Sequence, residues 1–281
     1  MKHSCSFIIK FIFSLCALSI LVSCSSFLYY PSNNFYVDPK KLKLEYEEIN
    51  FQTPQGDSIA GWYFPTPKKP SLGTIVHFHG NAENITSHFL SLVWLVEKGY
   101  NYLIFDYPGY GISTGKPSPE NTVEAGMAAL SWVRAHKDQR PLIVYGQSLG
   151  GAVAARTVEN VKDQIPIRNL ILDSTFTSYR AVARGILSKS WVTWILQPIT
   201  YLVLSDKYAV KDLQSISPIP VLVIHGDKDQ VVDYKNGVKL FESLKEPKEF
   251  WTIPDGYHTD VFARHDKIYR DKFIDYLQKK F

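Results

Sequence analysis

Ser148 sits in Gly146-Gln147-Ser148-Leu149-Gly150, after the apolar run Leu142–Tyr145 and before the small-residue stretch Gly151-Ala152-Val153-Ala154. A buried strand, a sharp turn and a helix in immediate succession lift a serine hydroxyl clear of the sheet. Glycines two before and two after the serine are needed where strand and helix nearly touch. The N-terminus of that helix turns its N–H groups toward any negative charge forming at the serine. A serine hydroxyl is a poor nucleophile at neutral pH, so it needs a base within hydrogen-bond reach and an acid to orient that base. In this setting the three follow the chain order serine, acid, histidine. The chemistry is acyl transfer.

Three histidines follow Ser148. His258, in Pro254-Asp255-Gly256-Tyr257-His258-Thr259, follows the last apolar strand and can swing over a sheet edge, so it is expected to be the base. His225 ends a buried strand and reads as a structural contact; His265 falls in the amphipathic C-terminal stretch and reads as a surface residue. For the acid, Asp227 and Asp229 both lie at the C-terminal end of a strand, where open α/β sheets hold ligands. Asp229 is far enough into the loop to turn back toward His258, whereas Asp227 is better placed to brace the loop. The developing oxyanion needs preorganised donors, each typically worth about 3–4 kcal/mol. Leu149 N–H, just after the nucleophile, should supply one, and Asn81 N–H, in the loop after the first central strand, the other. His77 and His79 point the same way on a strand, as a metal pair would. No Asp, Glu or His cluster completes such a site, so neither metal nor cofactor is expected.

The elements that must position these groups are strands and helices in alternation. Apolar strands are expected at Gly73–Phe78, Tyr102–Asp106, Leu142–Tyr145, Asn169–Leu172, Val221–His225 and Glu249–Ile253. Helical periodicity covers Ile85–Lys98, Pro119–His136, the stretch after Ser148 to Lys162, Tyr234–Leu244 and Asp260–Lys279. Strands without polar alternation, separated by helices, predict a mostly parallel sheet covered on both faces. Leu44–Thr53 and Ser58–Pro65 alternate across a Pro-Gln-Gly-Asp turn and read as an antiparallel hairpin at the sheet edge. Residues 178–217 interrupt the rhythm with Trp191, Trp194 and Tyr201, and read as a small cap of two short helices. Lys189, Gln197 and Pro198 break its apolar window, which excludes a membrane span there.

The chain has 281 residues, 45% of them hydrophobic, enough for one α/β domain with a core. Its net charge of +4 is modest, and without Lys2 and Lys10 it has 29 basic against 27 acidic residues. Nucleic acid is therefore not an expected partner. Residues 1–23 read as a lipoprotein-type signal peptide, with Lys2 and Lys10 ahead of the apolar run Phe11–Val22. Leu21-Val22-Ser23-Cys24 resembles the bacterial lipobox, in which the cysteine carries the lipid. Cys5 and Cys16 belong to the leader, so Cys24 would be the single cysteine of the mature chain, and lipidation accounts for a thiol without a disulfide partner. Residues 24–43 read as a tether. Ser25 after the cysteine resembles lipoproteins sent to the outer membrane, which places the expected location in the bacterial cell envelope.

The ordered strings HFHGNAENI, FDYPGYGISTGKPS, YGQSLGG and HGDKDQVV, with a late histidine, resemble the α/β-hydrolase superfamily. The branch most similar contains BEM46-like proteins and acyl-protein thioesterases. That resemblance spans the chain from about Tyr29 onward. It implies an eight-stranded sheet, Ser148 as nucleophile, Asp229 as acid, His258 as base, and Asn81 and Leu149 as oxyanion donors. Family members commonly carry Gly-His-Asn where this chain has Tyr257-His258-Thr259. The expected activity is a membrane-anchored serine hydrolase acting on a small-molecule or lipid ester or thioester. Peptide or amide cleavage, or a catalytically silent envelope lipoprotein, are the alternatives.

Overall fold

Period-two alternation inside apolar strands builds this fold. The computed structural model describes residues 29–264 and 266–279; the expected leader, Cys24 and His265 lie outside them. Strands β1 Glu47–Gln52, β2 Ser58–Phe64, β3 Gly73–Phe78, β4 Tyr100–Phe105, β5 Leu142–Gln147, β6 Ile167–Asp173, β7 Val221–Gly226 and β8 Lys248–Ile253 form one sheet. Among the described residues it has eight strands, in the order β1-β2-β4-β3-β5-β6-β7-β8. β2 pairs antiparallel with β1 and β4, and the pairs from β4 to β8 are parallel. The helices are α1 Ile85–His88, α2 Pro119–His136, α3 Leu149–Val161, α4 Tyr179–Leu187, α5 Trp191–Trp194, α6 Ile199–Val203, α7 Tyr234–Ser243, α8 Val261–Arg264 and α9 Asp266–Gln278.

β3, β4, β5 and β7 are buried at every position. Successive side chains point to opposite faces, so each strand feeds two cores. Val76, Leu103, Val144 and Leu172 pack with Val123 and Val133 of α2 and Val158 of α3. Ile75, Ile104, Ile143 and Ile171 pack on the other side with Phe89, Leu92, Leu95 and Phe273 of α9. α2 begins where Ser118 accepts the Asn121 N–H and Pro119 supplies a preset φ.

Three expectations change. Residues 85–98 are not one amphipathic helix but α1 followed by 3₁₀ turns at Phe89–Ser91 and Val93–Leu95. Their buried Phe89, Leu92 and Leu95 recur every three residues, the period that a 3₁₀ turn keeps on one side. The 178–217 insertion carries three helices rather than two, α4 and α5 each capped by a serine (Ser178, Ser190) and α6 opened by Pro198. Nor is the chain from Tyr29 a free tether. Tyr29 is buried, the Ser32 N–H donates to the Glu83 carbonyl at 3.2 Å, and Asn84 Nδ2 donates to the Ser32 and Asn34 carbonyls at 2.8 Å each. Backbone groups that composition alone assigns to a linker are satisfied here by a distant asparagine. Among the described residues no helix is long and apolar enough to cross a membrane.

Candidate active site

The turn between β5 and α3 holds Ser148 at φ 54° and ψ −119°, a left-handed setting that a non-glycine residue keeps only when its surroundings enforce it. The enforcement is visible. Ser148 N–H donates to the Asp173 carbonyl at 2.9 Å, and the Ser148 carbonyl accepts from Gly151 N–H at 3.0 Å and Thr175 Oγ1 at 2.6 Å. A Cβ on Gly150 would lie 2.0 Å from the Phe78 carbonyl oxygen, so α3 can approach the end of β3 only because that residue is glycine.

His258 reaches Ser148 from the loop after β8: its Nε2 is 2.8 Å from Ser148 Oγ and its Nδ1 is 2.7 Å from Asp229 Oδ2. Asp229 comes from the loop after β7, where its other oxygen accepts the Val231 and Val232 N–H groups at 2.8 and 2.9 Å. Burial alone would raise the Asp229 pKa. Hydrogen bonds from His225 and His258 outweigh it and hold the carboxyl well below the usual carboxylate range. His225, fully buried, sets its Nε2 2.9 Å from the Val232 carbonyl and 3.3 Å from Asp229 Oδ2. Asp227 lies at the loop base, with its N–H on the Ile253 carbonyl at 3.2 Å. The two loops meet without side chains between them: a Cβ on Gly226 would be 2.4 Å from the Gly256 carbonyl oxygen, and Lys228 N–H donates to that same oxygen at 2.9 Å.

The loop leaving β3 runs beside the serine, since a Cβ on Gly80 would lie 3.6 Å from Ser148 Cβ. Asn81 Oδ1 accepts from Tyr30 N–H at 2.9 Å, Ala82 N–H at 2.8 Å and the Tyr110 hydroxyl at 2.8 Å. His79 Nδ1 donates to the Gly80 carbonyl at 2.7 Å, and Tyr107 donates to the His79 carbonyl at 2.9 Å. Burial, with His88 close by, keeps the His79 pKa well below its ordinary value, so the ring is neutral at pH 7. His77 Nδ1 lies 2.7 Å from the Tyr102 hydroxyl, and burial together with His88 lowers its pKa to about 3. Leu149 is the first residue of α3, so its N–H is one of the donors a helix leaves without an intrahelical acceptor.

Further residues complete the constellation. Tyr145 and Ser174 hydroxyls donate to Asp173 at 2.8 and 2.9 Å, and Ser174 Oγ in turn accepts the Thr259 N–H at 3.1 Å. Asp173 thus ties the serine turn, through its carbonyl, to the histidine loop, through Ser174. A polar Asp-Ser-Thr run directly after an apolar strand is the signal that marks it in the sequence.

A serine after β5, an acid after β7 and a histidine after β8, set along one end of a mostly parallel eight-stranded sheet, define an α/β-hydrolase. A family model described as alpha/beta hydrolase fold matches residues 73–190. The chain belongs to that superfamily. It is 34% identical to YfhR of Escherichia coli over 96% of this chain and 92% of that protein. With the protein bem46 of Schizosaccharomyces pombe it shares 30% identity over 88% of this chain and 84% of that one. Among solved structures, the Pyrococcus furiosus esterase Pf2001 superposes with a TM-score of 0.71, covering 89% of this chain and 97% of its own at 22% identity, a likeness of fold.

Proposed function

We propose that the chain is a serine hydrolase that cleaves a carboxylic ester or thioester through an acyl-enzyme. The observation that carries this reading is the continuous path from Ser148 Oγ to His258 Nε2 at 2.8 Å and from His258 Nδ1 to Asp229 Oδ2 at 2.7 Å. With Asp229 ionised, the imidazole keeps its proton on Nδ1 and offers Nε2 to the serine hydroxyl. Ser148 Oγ attacks the carbonyl carbon as its proton passes to His258. Asn81 and Leu149 N–H groups receive the oxyanion. The protonated His258 then passes its proton to the departing alcohol or thiol, and water, deprotonated by the same histidine, releases the acid. Esterases among the solved structures of this fold support that substrate class. A fluorophosphonate probe should label the wild type and not Ser148→Ala; an unlabelled wild type would refute the reading and leave the catalytically silent lipoprotein. A panel of p-nitrophenyl esters then sets the chain-length preference.

We also propose that residues 1–23 are removed and that lipid on Cys24 holds the mature chain at the bacterial cell envelope, in the outer membrane. Support comes from the lipobox-like Leu21-Val22-Ser23-Cys24 and from the absence of any cysteine downstream of it. Metabolic labelling with a clickable palmitate tests it: label should enter the wild type and not Cys24→Ala.

A further inference from the structure

The insertion between β6 and β7 exposes an apolar face. α5 has no buried residue, and Trp191, Trp194, Ile195, Ile199 and Tyr201 are exposed, Trp191 by 87%. Isolated exposed apolar side chains are ordinary, whereas a cluster of this size marks a contact surface. Trp194, Ile195 and Tyr201 line a common cleft with Arg184, so the cluster is continuous across the helices.

Its charges all have one sign. Residues 179–204 contain Arg180, Arg184 and Lys189 and no Asp or Glu. Asp206, just beyond, accepts from Ser178 Oγ at 2.8 Å and from the Arg180 N–H at 3.3 Å. Both arginines lie near the Tyr201 ring, at 5.7 and 5.3 Å from its centroid. Indole and phenol rings with an apolar body and a polar tip, bordered by cations, match the headgroup level of an anionic bilayer. A second copy of this chain is a poor occupant, because a self-complementary contact would set these cations against their own copies.

The course of the chain points the same way. Tyr29 and Tyr179, the first residue of α4, are buried in the same apolar cluster. Cys24 precedes Tyr29 by five residues, a span of at most about 18 Å when extended. A lipid on Cys24 would therefore attach within that distance of Tyr29, which packs in one apolar cluster with the start of α4. The same insertion reaches the acid loop, where Lys189 Nζ donates to the Gln230 carbonyl next to Asp229.

We propose that the outer face of α4–α6 docks on an anionic lipid surface, with Trp191 and Trp194 at headgroup depth, and so holds the site at the interface. This rests on the envelope-anchor reading above. The test places the full acylated chain in vesicles of phosphatidylcholine and phosphatidylglycerol containing lipids brominated near the headgroup. Bromine should quench about a third of the emission, two of six indoles lying at that depth. The Trp191→Ser, Trp194→Ser double variant should float with the vesicles and lose that quenching. Vesicles of phosphatidylcholine alone should quench the wild type at least twofold less. Equal quenching of wild type and double variant, none in a floating wild type, or none of that difference between lipids would overturn the docking. A chain that does not float would remove the anchor and the docking with it. Fluorophosphonate labelling, run in parallel, reports on the hydrolase reading separately.

Discussion

The Tyr30 N–H donates to Asn81 Oδ1 at 2.9 Å, so the segment entering the fold and the loop beside Ser148 form one hydrogen-bonded unit. Asn81→Ala keeps the backbone donor but removes an acceptor shared by three partners. It should lower kcat on a p-nitrophenyl ester by roughly 10- to 100-fold with little change in KM, because a displaced oxyanion donor weakens only the transition state. Tyr110→Phe, which removes one of the three bonds, should cost less, on the order of 1 kcal/mol.

Ser148 stores strain that glycine would release. Ser148→Gly should unfold at a higher temperature than Ser148→Ala, by an equivalent of about 1 kcal/mol, since the φ of 54° is retained in both and only glycine accepts it freely. Both variants should lose probe labelling. Thermal melts of the pair provide the comparison.

Thr259 also has a positive φ, 55°, and a β-branched residue is poorly suited to it. Asparagine, common at this place in the family, tolerates that conformation. Thr259→Asn should raise stability by roughly 0.5–1 kcal/mol in urea unfolding and leave probe labelling intact, because the bond to Ser174 uses the backbone N–H.

The two buried carboxyls Asp106 and Asp229 should titrate with opposite signs. Burial raises the Asp106 pKa from 3.8 to about 7, against one bond from the Ile85 N–H. The folded chain favours its protonated form, so this contribution to stability is complete below pH 4 and lost as pH rises through about 7. Asp106→Asn should therefore gain on the wild type between about pH 4 and pH 8, by a few kcal/mol at most. The depressed pKa of Asp229 stabilises above the unfolded value and is lost as pH falls through the folded one. Asp229→Asn should forfeit that gain at neutral pH and slow ester cleavage by about 10⁴-fold. Urea unfolding across pH, with steady-state rates at neutral pH, checks both variants.

The parallel strands were legible because burial on both faces leaves unbroken apolar runs such as Gly73–Phe78 and Leu142–Tyr145. Chain order and strand ends pointed to Ser148, Asp229 and His258, and His258 lies within hydrogen-bonding distance of each of the other two. Other features depend on partners remote in sequence. The Tyr30–Asn81 bond spans 51 residues and the Ser174–Thr259 bond 85, and no local pattern announces either. Residues 85–98 misled for a subtler reason, since spacings of three and of three-to-four differ little over two turns.

At Gly226 and Gly256 the loops that carry Asp229 and His258 are in backbone contact, with no intervening side chain to absorb a change. An insertion or bulkier residue in either loop would move its partner too and disturb the contact between Asp229 and His258. Sequence change at this rim is thereby coupled across two loops, so that neither is free to vary by itself.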